Sequence, residues 1–598
     1  MVATTTSGQA QDWKPVSDKI LTPWAEKVDP AKPHPEYPRP QLERTGNWQN
    51  LNGLWKYAIT PKDRTAIPTE WDGDILVPFA VESALSGVGK RVSKEQALWY
   101  HSEITLDKNV QKSKVLLHFG AVDWQCDVYV NGQHIGRHEG GYDPFSMDIS
   151  PALTKGNTQQ IAVRVWDPAN EGPQPIGKQT KNPHSIWYTP VTGIWQTVWL
   201  EGVPQTHIVA TKHTPDVDRS RLHFGAKVAD AQPGDQLVVE AYDGGRKIAE
   251  TTANSIPNVE LWHPDSPKLY NLQVKVLRKG KVVDEAKSYF AMRKISMKKD
   301  AQGVQRMYLN DRFVFHNGPL DQGWWPDGLY TAPTDEALRF DIVKTKEMGF
   351  NMIRKHVKVE PARWYRHCDS LGILVWQDMP SGDLGGNHWD MHPGRIRSFN
   401  HDKTRTPESE AIFRKEWKAI MDAFHNFPSI VIWVPFNEAW GQFKSREIVE
   451  WTMQYDPSRL VNGASGGNYD APGHILDVHN YPDPNMPNPK LFGDEYVLVL
   501  GEYGGLGLPL EGHTWQEKDN WGYQSFKNRE ELKKRYAEMV GEVAQLIPRG
   551  LSACVYTQTT DVEVETNGLM TYDRKVVKIP ESELKAIHEK LYKSHIEN

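Results

Sequence analysis

The sequence predicts a multidomain chain in which two all-β sandwiches precede a parallel (β/α)8 barrel. Three observations predict it. The 598 residues are more than one core can use and suggest two to four domains. From Asn52 to about residue 296, short β-rich runs follow one another with no helical pattern between them. From about Met297 the pattern changes to strands alternating with amphipathic helices, which is how a parallel sheet covered by helices reads.

Residues 1–40 are rich in proline (Pro23, Pro30, Pro33, Pro35, Pro38, Pro40) and read as an extended lead-in that packs along other domains. Residues 41–203 hold the first sandwich, with runs such as LNGLWKYAIT, KVLLHFGAVDWQCDVYVNGQHIG and QIAVRVWD. Asn131-Gly132 within it is a strong hairpin-turn signal. Residues 204–296 hold a second β-rich block (LHFGAKV, QLVVEAYD, YNLQVKVLR) of a length that suits a small sandwich.

Residues 297–598 supply eight strand candidates. In order they lie in RFVFHNGPLDQG, NMIRKH, ILVWQDMP, SIVIWVPFNE, LVNGASGG, HILDVHNYP, YVLVLGEYGG and LSACVYTQTTDVE. Eight is the count of a closed barrel, whose chemistry sits where the strands end.

Two of these strands end on a carboxylate. Ile430 to Val434 is a continuous apolar run that fits a strand buried on both faces, and Asn437-Glu438 follows it. Tyr496 to Leu500 runs in the same way into Gly501-Glu502-Tyr503-Gly504-Gly505. A lone Glu after an apolar strand is more often a salt-bridge partner at the rim than a catalyst. Two of them on two strands of one barrel are what a retaining glycosidase needs, an acid and a nucleophile roughly 5 Å apart.

Other strand ends add candidate substrate-binding residues: Arg354 and His356 after strand two, Asp378 (with Trp376) at strand three, His479 and Tyr481 at strand six, Tyr503 beside Glu502, and Tyr556 (with Gln558) at strand eight. Tyr481 or Tyr503 is placed to hold the Glu502 carboxylate by a hydrogen bond.

At these residues the chain resembles glycoside hydrolase family 2, the group of β-galactosidases, β-glucuronidases and β-mannosidases. The resemblance implies an acid/base at Asn437-Glu438 on strand four and a nucleophile at Glu502-Tyr503 on strand seven, with Asn437 bonding a sugar hydroxyl. It implies a jelly-roll domain carrying GAVDWQCDVYVNGQHIGRHEGGYDPF and GIWQTVWLE. LWHPDSPKLYNL resembles the family's immunoglobulin-like domain. The implied partner is an oligosaccharide or polysaccharide, and no metal or cofactor is called for. His388, Asp390 and His392 lack regular ligand spacing and read as a cleft wall.

Sugar identity is less legible. The family's β-glucuronidases carry Asn-x-Lys after strand eight, whereas this chain has Asn567-Gly568 and no Lys two residues on, which argues against a uronidase. IRKHVKVEP after strand two departs from the Arg…Ser-His-Tyr-Pro phrase of galactosidases and glucuronidases, and LVWQDMP is closer to the mannosidase-like branch. The expectation is an exo-acting β-galactosidase-like enzyme working on a plant or algal glycan. Its rivals are an arabinosidase, a β-mannosidase or a β-glucosidase. A catalytically inactive carbohydrate-binding protein would be marked by loss of either carboxylate.

Bulk properties narrow the partners. A net charge of −6 gives no reason to expect nucleic acid, and no apolar run is long enough to span a membrane. The 23 Trp and 22 Tyr suit sugar stacking but also fill large cores, so they discriminate weakly. Cys126, Cys368 and Cys554 show no disulfide or zinc spacing and read as buried thiols. The N-terminus resembles a mature chain after a removed export signal, which would make the protein periplasmic or extracellular. A homodimer through the sandwich domains is a further expectation.

Overall fold

The computed structural model describes residues 13–16, 18–250, 255–383, 402–438 and 441–593. In the first sandwich, a six-stranded sheet runs in the order Gly73–Val77, Gly53–Pro61, Gln96–Thr105, Thr158–Trp166, Gln125–Val130, Gln133–Glu139. It packs on a four-stranded sheet of Trp48–Asn50, Val198–Val203, Lys114–Phe119 and Phe145–Asp148. Alternate residues of the strands face inward, so that Ile161, Val163 and Val165 share one core with Val128, Leu117 and Leu200. The turn at Asn131-Gly132 has φ of +50° and +79°, which the two-residue hairpin requires and these residue types tolerate. The second sandwich buries Ile208 and Leu222 of its strand pair (His207–Asp216, Arg221–Ala229) against Val239, Leu272 and Val274 of a four-stranded sheet.

The barrel strands are β1 (His316–Asp321), β2 (Met352–Lys355), β3 (Leu374–Asp378), β4 (Ile430–Val434), β5 (Leu460–Val461), β6 (Ile475–Asn480), β7 (Val497–Gly504) and β8 (Leu551–Thr557). Side by side they run 5-4-3-2-1-8-7-6, all parallel. The ring closes where His474 N–H donates to Val461 O at 2.9 Å. Helices cover the outside, and three of them start on side-chain caps: Thr334 for Asp335–Glu347, Thr406 for Pro407–Phe424 and Asn528 for Arg529–Leu546.

Inward residues Leu320, Met352, Trp376, Ile432, Val499 and Val555 fill the barrel. An antiparallel sheet of Ile295–Lys299, Gln305–Leu309 and Arg312–Phe313, not foreseen from the sequence, closes its N-terminal end. Its Met307 and Leu309 join the barrel interior, and Arg306 Nη1 donates to the carbonyls of Ile547 and Leu551 at 2.9 Å each. With the bottom sealed, the C-terminal mouth is the face left for a ligand. All three cysteines are buried free thiols. Among the described residues no helix is long and apolar enough to cross a membrane.

Candidate active site

Parallel strands send the C-terminal ends of β2, β3, β4, β6 and β7 to the same mouth. Glu438 arrives just past a two-residue extension of β4, Phe436–Asn437, which pairs with Ala464–Ser465 after β5. Glu502 arrives through a bulge. Against β6 the register jumps between Leu500 and Glu502, which skips Gly501 and turns the next side chain into the barrel. Gly501 has to be glycine: a Cβ there would stand 2.1 Å from Asp477 Oδ1.

Arg354 of β2 is the fully buried hub of the site. Its guanidinium donates to Asp378 (Nε to Oδ1 3.2 Å, Nη2 to Oδ2 2.8 Å), to Asn437 Oδ1 (2.6 Å) and to Glu502 Oε1 (3.1 Å). The fork thus ties strands two, three, four and seven together and leaves Asn437 a single orientation. Tyr481 Oη donates to Glu502 Oε2 at 2.7 Å and pairs with Thr557 Oγ1 at 2.6 Å. Tyr523 stacks on the Tyr481 ring, with centroids 3.7 Å apart and planes 5° from parallel. Burial drives His356 well below its ordinary pKa, and its Nδ1 stands 3.0 Å from Asp378 Oδ2.

His479 bridges the two glutamates. Its Nδ1 lies 2.8 Å from Glu438 Oε2, a charge contact without good hydrogen-bond geometry, and 3.4 Å from Glu502 Oε2. Its Nε2 lies 2.9 Å from Ser465 Oγ. One ligand-type atom from each of Glu438, His479 and Glu502 fits within 4.8 Å of the other two. Burial works against the His479 charge, but Glu502 and Glu438 outweigh it and lift the imidazole to about 9. Burial likewise pushes Glu438 up, and the neighbouring His479 outweighs it, so this carboxyl ends below its ordinary range. Glu502 ends above its ordinary range, raised by burial and by Glu438 against the pull of His479 and Arg354. Glu438 and His479 therefore hold one proton between them at neutral pH.

The cluster Glu438, His479 and Glu502 is also the one group among the described residues spaced to hold a cation. Arg354, 3.1 Å from Glu502, already supplies positive charge there, which disfavours a divalent ion.

Glu438, Glu502, Asn437, Arg354, His356, Asp378, His479 and Tyr481 thus come together. Tyr503 and Tyr556 do not, which corrects their assignment to the substrate pocket. Both rings sit in the layer between the barrel and its helices, 5.7 Å apart, with Tyr556 4.8 Å from Tyr536 of helix Arg529–Leu546. After the bulge Glu502 points in, so Tyr503 must point out. Trp376 fills the barrel and donates to His316 Nδ1 (3.1 Å), while Gln558 donates to Asn567 Oδ1 (2.7 Å). His388, Asp390 and His392 lie outside the described residues, as do residues 1–12. Asp477, Thr557 and Tyr523 were missed. Asp477 precedes His479 by two on β6 and was legible by alternation, but Tyr523 sits on a loop with no pattern to mark it.

Comparisons with known proteins agree with this domain architecture. Residues 78–202 match the model for "Glycosyl hydrolases family 2, sugar binding domain", 206–293 that for "Glycosyl hydrolases family 2", and 326–496 that for "Glycosyl hydrolases family 2, TIM barrel domain". The last match stops before Glu502, whose placement therefore rests on geometry. A putative beta-glucuronidase of Formosa agariphila is 28% identical over 64% of this chain and 46% of its own length. A beta-galactosidase of Thermoanaerobacter pseudethanolicus is 25% identical over 61% of this chain and 48% of its own. The chain thus spans about half the length of these curated relatives. In fold it is similar to a β-glucuronidase of Ruminococcus gnavus crystallised with an N1-substituted uronic isofagomine (TM-score 0.72, 18% identity, 94% of this chain and 100% of that one). With three of its domain models matched in succession along one chain, the protein belongs to glycosyl hydrolase family 2.

Proposed function

We propose that the protein is a retaining exo-glycoside hydrolase that releases a terminal β-linked sugar from an oligosaccharide or polysaccharide. The observation that carries this reading is the approach of a Glu438 and a Glu502 oxygen to within 4.8 Å. Such an approach suits a covalent glycosyl intermediate, for which the carboxyl groups stand roughly 5–5.5 Å apart, better than the roughly 6.5–9.5 Å of an inverting enzyme.

In the first step a Glu502 oxygen attacks the anomeric carbon as the bond to the leaving oxygen breaks. That oxygen takes the proton held by the Glu438–His479 pair. In the second step Glu438 draws a proton from water, the water oxygen attacks the same carbon, and Glu502 leaves as carboxylate. Arg354 and Tyr481 hold Glu502 in place and stabilise its anion on departure.

For the sugar, the first reading is β-D-galactosyl, with arabinosidase and β-mannosidase or β-glucosidase activity as rivals on the same scaffold. The names of the relatives favour a second reading, β-D-glucuronyl. Nitrophenyl glycosides of these sugars, tested with wild type, Glu502→Ala and Glu438→Ala, decide both mechanism and glycone. Hydrolysis of one glycoside, lost in Glu502→Ala, supports the reading; equal turnover in both variants overturns it.

A further inference from the structure

Lys178 belongs to the first sandwich's sequence but lies at the barrel mouth, in the connection after strand Thr158–Trp166. The connection is seated on the loops that follow β2 and β3. Gly382 N–H donates to Ile176 O at 3.1 Å, and a Cβ on Gly177 would stand 2.4 Å from Val357 O, next to His356. It is also held from behind. Gly177 N–H donates to Gln179 Oε1 (2.8 Å) and Tyr142 Oη (3.0 Å), Gln179 Nε2 donates to Asp123 Oδ2 (3.2 Å), and Tyr188 N–H donates to Lys178 O (2.9 Å).

The residue is only 5% exposed, yet among the described residues no carboxylate lies within 4 Å of its Nζ and no side-chain hydrogen bond engages it. Its described contact is the Tyr188 ring, 5.8 Å away. The other deeply buried lysines are paired: Lys355 with Asp321 and Glu360 (2.7 and 2.8 Å), Lys358 with Glu360 (2.9 Å), Lys578 with Asp561 (2.6 Å). Lys178 alone of these four has no fixed counter-charge, and its Nζ is not among the sealed-off polar atoms, so the partner it lacks is one that arrives from outside. The seating of its loop on Val357 and Gly382 puts Lys178 beside the mouth that His356, Glu438 and Glu502 line, and its charge bears on all three.

We propose that Lys178 is a specificity-determining residue that binds an oxyanion carried by the substrate glycan, either the carboxylate of a uronyl sugar or a sulfate ester. This rests on the glycosidase reading and adds a substrate class to it. The anion completes the lysine's missing pair, and the domain that delivers the lysine thereby selects what the barrel cleaves.

The test pairs anionic and neutral glycosides of one configuration: nitrophenyl β-D-glucuronide against β-D-glucoside, and the 6-sulfate of the β-D-galactoside against the β-D-galactoside. The first pair reads a carboxylate and the second a sulfate. Wild type should favour the anionic member of one pair. Lys178→Met should lose about 10- to 100-fold in kcat/KM on that member, mostly through KM, with the neutral member within threefold, and Lys178→Arg should recover part of the loss. A wild-type preference for neutral glycosides, or an equal fall on both members in Lys178→Met, overturns the inference.

A second measurement needs no variant. D-glucuronate or galactose 6-sulfate should raise the wild-type melting temperature more than glucose or galactose, and equal shifts overturn the inference. If hydrolysis survives in Glu502→Ala, the glycosidase reading fails; if it is abolished there and Lys178→Met is indifferent, only the lysine's role fails.

Discussion

The two carboxylates end two strands of one barrel, yet they are held differently. Both oxygens of Glu502 are engaged, one by Arg354 at 3.1 Å and the other by Tyr481 at 2.7 Å, and its side chain is 6% exposed. Glu438 is 20% exposed, and its charge partner is His479. A nucleophile must present a fixed anion and leave as one, which two donors favour. An acid/base must exchange a proton with changing partners, which a looser seat beside a titrating imidazole favours. The difference in restraint thus argues the roles independently of strand number.

The largest expected effects break this comparison outright. Glu502→Ala should lower kcat by about 10⁴-fold or more on every substrate. Glu438→Ala should cost about 10²- to 10⁴-fold on glycosides with poor leaving groups, and much less with dinitrophenol, which needs no proton. Azide sharpens the test. In Glu502→Ala it should yield the α-glycosyl azide and in Glu438→Ala the β-anomer, read by NMR. The reverse pairing would exchange the two roles.

Arg354→Met should come next, at about 10²- to 10³-fold in kcat, because it removes a donor aimed at the departing anion. It also leaves Asp378 and Glu502 buried without their cation, a cost of about 3–5 kcal/mol that denaturant unfolding should detect. Unchanged stability with lost activity would separate catalysis from scaffolding more cleanly than the geometry implies.

The pH profile of kcat/KM tests the loose side of the comparison. The acid limb reports Glu502, inactive when protonated, and its raised pKa places that limb above the ordinary value of 4.5. The alkaline limb reports the last proton of the Glu438–His479 pair, and His479 at about 9 sets it near that value. In His479→Gln, Glu438 keeps the proton alone. Its own pKa rises when the cation goes, and the alkaline limb then follows this carboxyl instead of the imidazole and should leave the value near 9. An alkaline limb that stays put would remove His479 from the proton inventory.

Much of this was legible in the sequence, and the exceptions have physical causes. Eight strands and both glutamates showed themselves because buried parallel strands are continuous apolar runs, and a polar residue ending one stands out. The sheet of Ile295–Lys299, Gln305–Leu309 and Arg312–Phe313 did not, because its mixed burial matches the sandwich strands before it. The close packing of Asp477 on Gly501 and of Tyr523 on Gly505 also depends on partners distant in sequence. Lys178 was out of reach, since its place depends on how a sandwich loop docks on a barrel formed from much later residues.

The smallest predicted effect concerns two tyrosines that looked alike in the sequence. Tyr481 follows β6 and reaches across to Glu502, whereas Tyr503 follows Glu502 on β7 and is turned away by the bulge at Gly501. Tyr481→Phe removes a hydrogen bond to a carboxylate and should cost about 10-fold in kcat or somewhat more. Tyr503→Phe should leave kcat within twofold, because its hydroxyl faces the helix layer with no oxygen or nitrogen partner and only the Cys554 sulfur nearby. Deleting a buried hydroxyl without a partner leaves nothing unsatisfied behind, so stability should hold or rise slightly. If Tyr503→Phe instead cost as much as Tyr481→Phe, the bulge at Gly501 would be misplaced, and the inward turn of Glu502 would fall with it.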